Sequence, residues 1–322
     1  MTARSPEEGP DGVLLVDKSA GPTSTDVVRL ARRCLDVRRL GHAGTLDPFA
    51  TGLLLLCVGR ATRLVRYLHL LPKSYRARVH LGVETSTHDP EGDVVSRSET
   101  WREVDRGGVE AAAAELTGRI EQVPPRFSAV KVGGRRAYEA ARAGEELRLE
   151  ARPVQVDSFR IVSFDPPELE VETVVGAGTY IRGLARDLGR ALGCGAHLRT
   201  LRRTAIGPFA VAEAVADAEL QASGARDLQG SGAWRSPAAA LAWLPSRELE
   251  TDEIERVRHG GAVPRGSVVP GVRAAGPMVS GADGAGSGGS VSPVTLLRAG
   301  VLVAVAEPLG TVLQPRVVLD AA

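Results

Sequence analysis

Apolar residues fall along this chain in short blocks, and their spacing separates strands from helices. Gly12-Val13-Leu14-Leu15-Val16-Asp17-Lys18 is a continuous apolar run closed by charges, the pattern of a buried strand. Leu53-Leu54-Leu55-Leu56-Cys57-Val58 predicts a second. Tyr75 to Gly82 and Leu198 to Thr204 alternate as strands. Val154 to Phe164 and Leu169 to Val175 predict two more, joined by Asp165-Pro166-Pro167, and Phe127 to Gly134 a strand with a tight turn. Glu84 to Gly92 reads as a polar loop from which Val94-Val95 returns.

Helical spacing appears elsewhere. Val27, Val28, Leu30, Ala31 and Leu35 follow Ser24 or Thr25, either of which can cap a helix. Leu64, Val65, Leu68 and Leu71 predict an amphipathic helix over 61–71, and further helices are expected around 109–116 and 137–142. Ile181, Leu184, Ala185, Leu188, Ala191 and Leu192 share one face of a helix that Gly193 and Gly195 end. Tyr180 and Arg182 fall in its first turn, off that apolar stripe. Strands and helices mix without a βαβαβ rhythm, which predicts an α+β fold with a mixed, largely antiparallel sheet.

Residues 1–11 are polar and expected to be disordered. Residues 12–235 make the main domain, which becomes Ala-rich and helical after Ala210 and loosens over 224–237 into a linker-like stretch. Residues 244–322 predict a small β-rich domain, interrupted over 274–292 by a mobile Gly, Ala and Ser insertion.

Composition narrows the possibilities. No apolar run approaches the roughly 20 residues that span a bilayer, and the N-terminus lacks an apolar signal core, so a cytoplasmic protein with no membrane partner is expected. Cys34, Cys57 and Cys194 are odd in number and widely spaced, and the six histidines show no metal-ligand spacing, so neither a disulfide framework nor a metal site follows. The net charge of +1 hides a segregated distribution. Lys18 to Arg78 holds twelve basic residues against three acids, and Tyr180 to Arg203 six arginines against Asp187 alone. A polyanion-binding face needs such clustering, although a solvated Arg-rich surface is the bland reading.

Leu40 to Gly52 carries the candidate chemistry. Three glycines and Pro48 surround Asp47, and the buried strand follows at once, so one carboxylate sits on a short, stiff loop. An arbitrary Asp-Pro is more often a plain turn. An aspartate can act as a covalent nucleophile if a cation keeps it ionised, and Arg182 is the candidate. Tyr75 and Tyr180 suit stacking on a nucleobase. Taken singly, the tyrosines read as core filler and Arg182 as a surface ion pair.

In combination these stretches resemble the TruB family of pseudouridine synthases. Gly41-His42-Ala43-Gly44-Thr45-Leu46-Asp47-Pro48-Phe49-Ala50-Thr51-Gly52-Leu53-Leu54 is similar to its catalytic motif, and Gly12 to Ser24 to its N-terminal motif. Gly178 to Gly189 and Cys194 to Arg203 resemble a third block, and Pro315-Arg316-Val317-Val318 the end of its PUA-like domain. Ser19 stands where the family pattern has proline, and Phe127 where it has tyrosine.

The resemblance implies a pseudouridine synthase catalytic domain, a PUA-like tail, and isomerisation of the uridine at position 55 in the tRNA T loop. It implies Asp47 as nucleophile, Tyr75 stacked on the uracil, and Arg182 paired with Asp47. It implies Tyr180 and Leu201 lining the uracil pocket, His42 filling the space left by flipped nucleotides, and Lys18 supporting the site floor or a phosphate. No cofactor and no metal are implied, the partner is the tRNA T-arm, and a monomer is expected. Two alternatives are a tRNA-binding or folding module without catalysis and an Asp-nucleophile hydrolase; the latter would want further acids or metal ligands near Asp47.

Overall fold

The computed structural model describes residues 10–128, 130–132, 135–136, 149–272 and 292–319. The disorder expected for residues 1–9, the helix expected over 137–142 and the insertion from 274 to 291 lie outside these described residues. The chain forms two compact units, one of Met1–Pro48, Gly52–Leu70 and Gly207–Ala322, the other of Phe49–Thr51 and Leu71–Ile206.

In the first unit, β1 (Gly12–Lys18) runs antiparallel to β3 (Thr51–Val58), from Gly12 opposite Val58 to Lys18 opposite Gly52. Val13 to Val16 and Leu53 to Val58 are all fully buried, as continuous apolar strands must be when both faces are covered. β2 (Leu40–Ala43) also pairs with β3, so the expected reactive loop begins and ends as strand and only residues 44–50 are irregular. β1 further pairs in parallel with Val215–Ala216 and antiparallel with Trp234–Arg235. The linker expected over 224–237 is therefore packed structure: Gly12 lies so close under the Trp234 indole that a Cβ would sit 2.3 Å from it.

α1 (Ser24–Leu35) buries Ser24, Val27, Val28, Ala31 and Leu35 along one face. Its cap is Thr23, in a capping box with Asp26, and not Ser24 or Thr25. The helix expected over 61–71 is a 3₁₀ stretch, Gly59–Leu64, followed by one α turn, Val65–Leu68. Thr62 Oγ1 donates to the Gly59 carbonyl at 2.8 Å, a local bond that competes with the α-helical ladder. Asp11 is ordered, with a 2.7 Å ion pair to Arg60 Nε. The tail forms the expected β-rich sheet, with five strands and the helix Thr251–Arg258 around Leu249, Ile254, Val257, Val263, Val294 and Leu296.

The second unit is an antiparallel sheet in the order β8 (Ala196–Ile206), β4 (Lys73–Leu81), β7 (Glu168–Val175), β6 (Arg152–Asp165) and β5 (Gly118–Gln122). α2 (Arg106–Glu115) packs on β6, and α3 (Ile181–Ala191) on β8. Both units mix helices with strands; β1 with Val215–Ala216, and Ser246–Glu248 with Val294–Arg298 in the tail sheet, pair in parallel. The loop expected over 84–92 is the turn of a hairpin between Val83–Thr85 and Val94–Arg97. Among the described residues of the strand expected over 127–134, Lys131–Val132 pairs with Arg135–Arg136.

Candidate active site

Asp47 is half-buried on the segment between β2 and β3, and the polar groups beneath that segment hold its backbone. Ser24 sits inside the first turn of α1, where its hydroxyl accepts the Leu46 N–H at 2.8 Å and donates to the Leu46 carbonyl at 3.0 Å. Pro48 O, on the other side, accepts the Gly21 N–H at 2.9 Å and the Lys18 ammonium at 3.2 Å. Lys18 is fully buried, and its ammonium also donates to Ser19 O and Pro22 O, each at 2.8 Å. Both residues flanking Asp47 are thus fixed through their main chains. His42 lies half-buried on β2, opposite Leu56.

Ser19, at the position where the family pattern has proline, puts its N–H and hydroxyl on Asp217 Oδ2 at 2.8 and 2.9 Å. A proline there would remove that N–H donor.

In the second unit Tyr75 and Leu201 stand on one buried face of the sheet. Tyr75 on β4 is opposite Arg203 on β8 and Thr173 on β7, while Leu201 is opposite Ala77, so Tyr75 and Leu201 are diagonal neighbours. Lys73, two residues along, shares the Tyr75 face and is buried. Burial and the neighbouring Arg203 lower its ammonium to about 8.

Tyr180 is the N-cap of α3, and Arg182 sits in the first turn. The expectation that Arg182 lies off the buried stripe is corrected: it is 5% exposed, and Arg186 on the next turn 4%. Arg182 Nη1 donates to Thr87 O at 3.0 Å and reaches Asp89 Oδ2 at 3.2 Å, and Nη2 donates to Phe127 O at 2.9 Å. Asp89 is 2% exposed, with its other carboxyl oxygen accepting the Glu91 N–H at 3.0 Å and the Thr87 hydroxyl. A buried guanidinium survives because its planar donors are matched by carbonyls and a carboxylate. Beside it, burial and then Arg186, Arg182 and Arg190 hold the His88 imidazolium down to about 4, so that ring is neutral at pH 7.

Sequence reasoning did not single out Asp89, Gln122, Lys73 or Arg203. Asp89 lies in the stretch read as a polar loop, and its Asp-Pro step lacks the three glycines and following buried strand that marked Asp47. The alternation of Lys73, Tyr75 and Ala77 placed Lys73 on the Tyr75 face, and the register of Arg203 opposite Tyr75 came only with the fold.

Among the described residues no group of His, Cys, Asp and Glu is arranged to hold a metal ion, and no helix is long and apolar enough to cross a membrane.

Residues 32–181 match the family described as TruB family pseudouridylate synthase (N terminal domain), and residues 182–229 match tRNA pseudouridylate synthase B C-terminal domain. A Thermobifida fusca protein named tRNA pseudouridine synthase B is 46% identical over 258 residues, 78% of this chain and 85% of that protein. The chain belongs to the TruB family of pseudouridine synthases. A second relative of the same name, from Symbiobacterium thermophilum, is 46% identical over 253 residues, 78% of this chain and 82% of its own.

Two solved structures place the TruB chain among known folds. The crystal structure of a Cbf5-Nop10-Gar1 complex matches with a TM-score of 0.70 and 26% identity, over 96% of this chain and 85% of that one. The structure of an H/ACA RNP bound to a substrate RNA containing 2'-deoxyuridine matches at 0.68 and 23% identity, over 98% and 91%, and shares the fold.

Proposed function

We propose that this chain isomerises a uridine of tRNA to pseudouridine, and that the uridine is position 55 of the T loop. The observation that carries the activity is the family match together with relatives named tRNA pseudouridine synthase B, aligned over 85% of the Thermobifida fusca protein. Nothing among the comparisons favours the reading as a binding or folding module without catalysis.

The reaction rearranges one nucleoside without net transfer. Its N1–C1′ bond breaks, the uracil turns, a C5–C1′ bond forms, and the C5 proton moves to solvent while N1 gains one. None of these atoms is accessible in a stacked loop, so the nucleotide must be swung out first. Asp47 is assigned as the nucleophile, supported by its half-buried position on a segment held at Leu46 and Pro48. Tyr75 is assigned to stack on the uracil, Tyr180 and Leu201 to line its pocket, and Arg182 to keep Asp47 ionised. His42 is assigned to the space that the flipped nucleotides vacate. The arginine-rich segments are assigned to the T-arm phosphates, the β-rich tail to a PUA-like contact with RNA, and the working form to a monomer.

Incubation with an unmodified tRNA transcript, followed by mapping of pseudouridine, tests the assignment. The wild-type chain is expected to convert one uridine, that of the T loop. Asp47→Asn is expected to yield no pseudouridine while binding tRNA within about threefold of wild type, since one carboxylate contributes little against many phosphate contacts. Pseudouridine made by Asp47→Asn would remove the nucleophile assignment.

A further inference from the structure

Tyr180 and Arg182 must be held where a uridine can meet them, and α3 does not do this alone. Tyr180 is the N-cap, with extended backbone at φ −101° and ψ 115° and no side-chain cap. Its N–H lies outside the helical ladder, one of the donors every helix start leaves over. Gln122, the last residue of β5, reaches that N–H. It is 1% exposed, its Oε1 accepts the Tyr180 N–H at 2.9 Å, and its Nε2 donates to the Tyr180 carbonyl at 3.1 Å.

One carboxamide therefore grips both main-chain polar groups of one residue. An amide offers a donor and an acceptor in that fork; an ionised carboxylate of the same length supplies acceptors alone. Space is kept for it on the helix side. A Cβ at Gly183 would stand 2.8 Å from Gln122 Nε2 and 2.9 Å from its Cδ. The segment after Gln122 continues the grip, with Val123 O accepting Arg186 Nη2 and Phe127 O accepting Arg182 Nη2, each at 2.9 Å.

We propose that Gln122 is a positioning residue for the synthase reaction, its amide fixing the main chain of Tyr180 and so the aim of the Tyr180 ring and the Arg182 guanidinium. The inference rests on the functional reading above and adds a residue to it. At 1% exposure Gln122 offers no surface to tRNA, so its loss is expected to affect turnover and spare the contacts that hold tRNA.

Gln122→Met keeps the length and loses both bonds, whereas Gln122→Glu keeps the acceptor for the Tyr180 N–H. Steady-state kinetics on the tRNA transcript, tRNA affinity by filter binding, and melting curves are measured for both. Misplacement by about 1 Å can cost a hundredfold, so kcat for Gln122→Met is expected to fall about a hundredfold. Gln122→Glu is expected to lie between it and wild type, with KM and tRNA affinity within about threefold throughout. A Gln122→Met enzyme within about threefold of wild-type kcat overturns the proposal. So does a loss of kcat matched by equal loss of tRNA affinity or of folded protein, or a Gln122→Glu enzyme no better than the Met variant. If Gln122→Met does not fold, the Glu variant decides on the same readouts. Wild type and Asp47→Asn run alongside: an inactive wild type refutes the functional reading, and this inference with it, an active Asp47→Asn removes the nucleophile assignment alone, and normal Gln122 variants refute the inference alone.

Discussion

Arg182 shows what burial does to a single residue. Its guanidinium is matched by Asp89, Thr87 O and Phe127 O, so removing the Asp89 carboxylate withdraws a buried counter-charge from it. Asp89→Asn is expected to lower stability by about 3 kcal/mol and to reduce turnover along with it, read by denaturant melts and by pseudouridine yield. An Asp89→Asn enzyme as stable and as active as wild type would show the pair to be idle. Lys73 gives a prediction of the opposite kind. Burial and Arg203 lower its ammonium from 10.5 to about 8, so between those values the unfolded chain binds the proton that the native chain has released. Stability then rises with pH across that window. Relative to Lys73→Met, the wild type is expected to gain on the order of 2 kcal/mol between about pH 8 and pH 10 in melts at fixed ionic strength. Parallel pH profiles for the two would contradict the shift.

The α1 start shows two neighbouring hydroxyls on one element doing different jobs. Thr23 caps the helix through Asp26, whereas Ser24 is buried and holds Leu46 by its N–H and carbonyl. Thr23→Ala is expected to cost about 1 kcal/mol of stability with normal kcat. Ser24→Ala leaves the Leu46 N–H buried and unmet, costing about 1–3 kcal/mol, and loosens the segment that carries Asp47. Its kcat is expected to fall as well. Melting curves and turnover measured on both variants check the contrast, and a Ser24→Ala enzyme that matches Thr23→Ala in kcat would sever α1 from the Asp47 segment.

Across the whole molecule the charges matter as a field. The chain is nearly neutral, but Lys18 to Arg78 carries a local excess of +9. Some of these cations are internal braces, Lys18 and Lys73 among them, while Arg29, Arg33, Arg38 and Arg39 are exposed. The exposed set is the one that can release counterions from an RNA backbone. Raising salt from about 50 to 200 mM is expected to weaken tRNA binding by roughly a hundredfold, measured by filter binding. A flat response would separate the arginines from RNA recognition.

Strand and helix periods placed β1, the Leu53–Val58 strand, β6, β7 and α3 close to where they lie, because a continuous apolar run or an i, i+3, i+4 stripe has few ways to hide from water. Asp47, Tyr75, Tyr180 and Arg182 were legible as candidates from loop chemistry and from the family resemblance. The packed stretch at Trp234 and the burial of Arg182 were not, since each depends on which partner arrives from far along the chain, whereas the Thr23 cap rests on a local pairing with Asp26 that the choice of Ser24 or Thr25 passed over. Local pattern determined which segments are strands or helices and where a stiff acidic loop sits. Only the folded chain decided which polar groups meet, because a buried cation such as Arg182 or Lys18 is tolerated only where distant carbonyls and carboxylates converge on it.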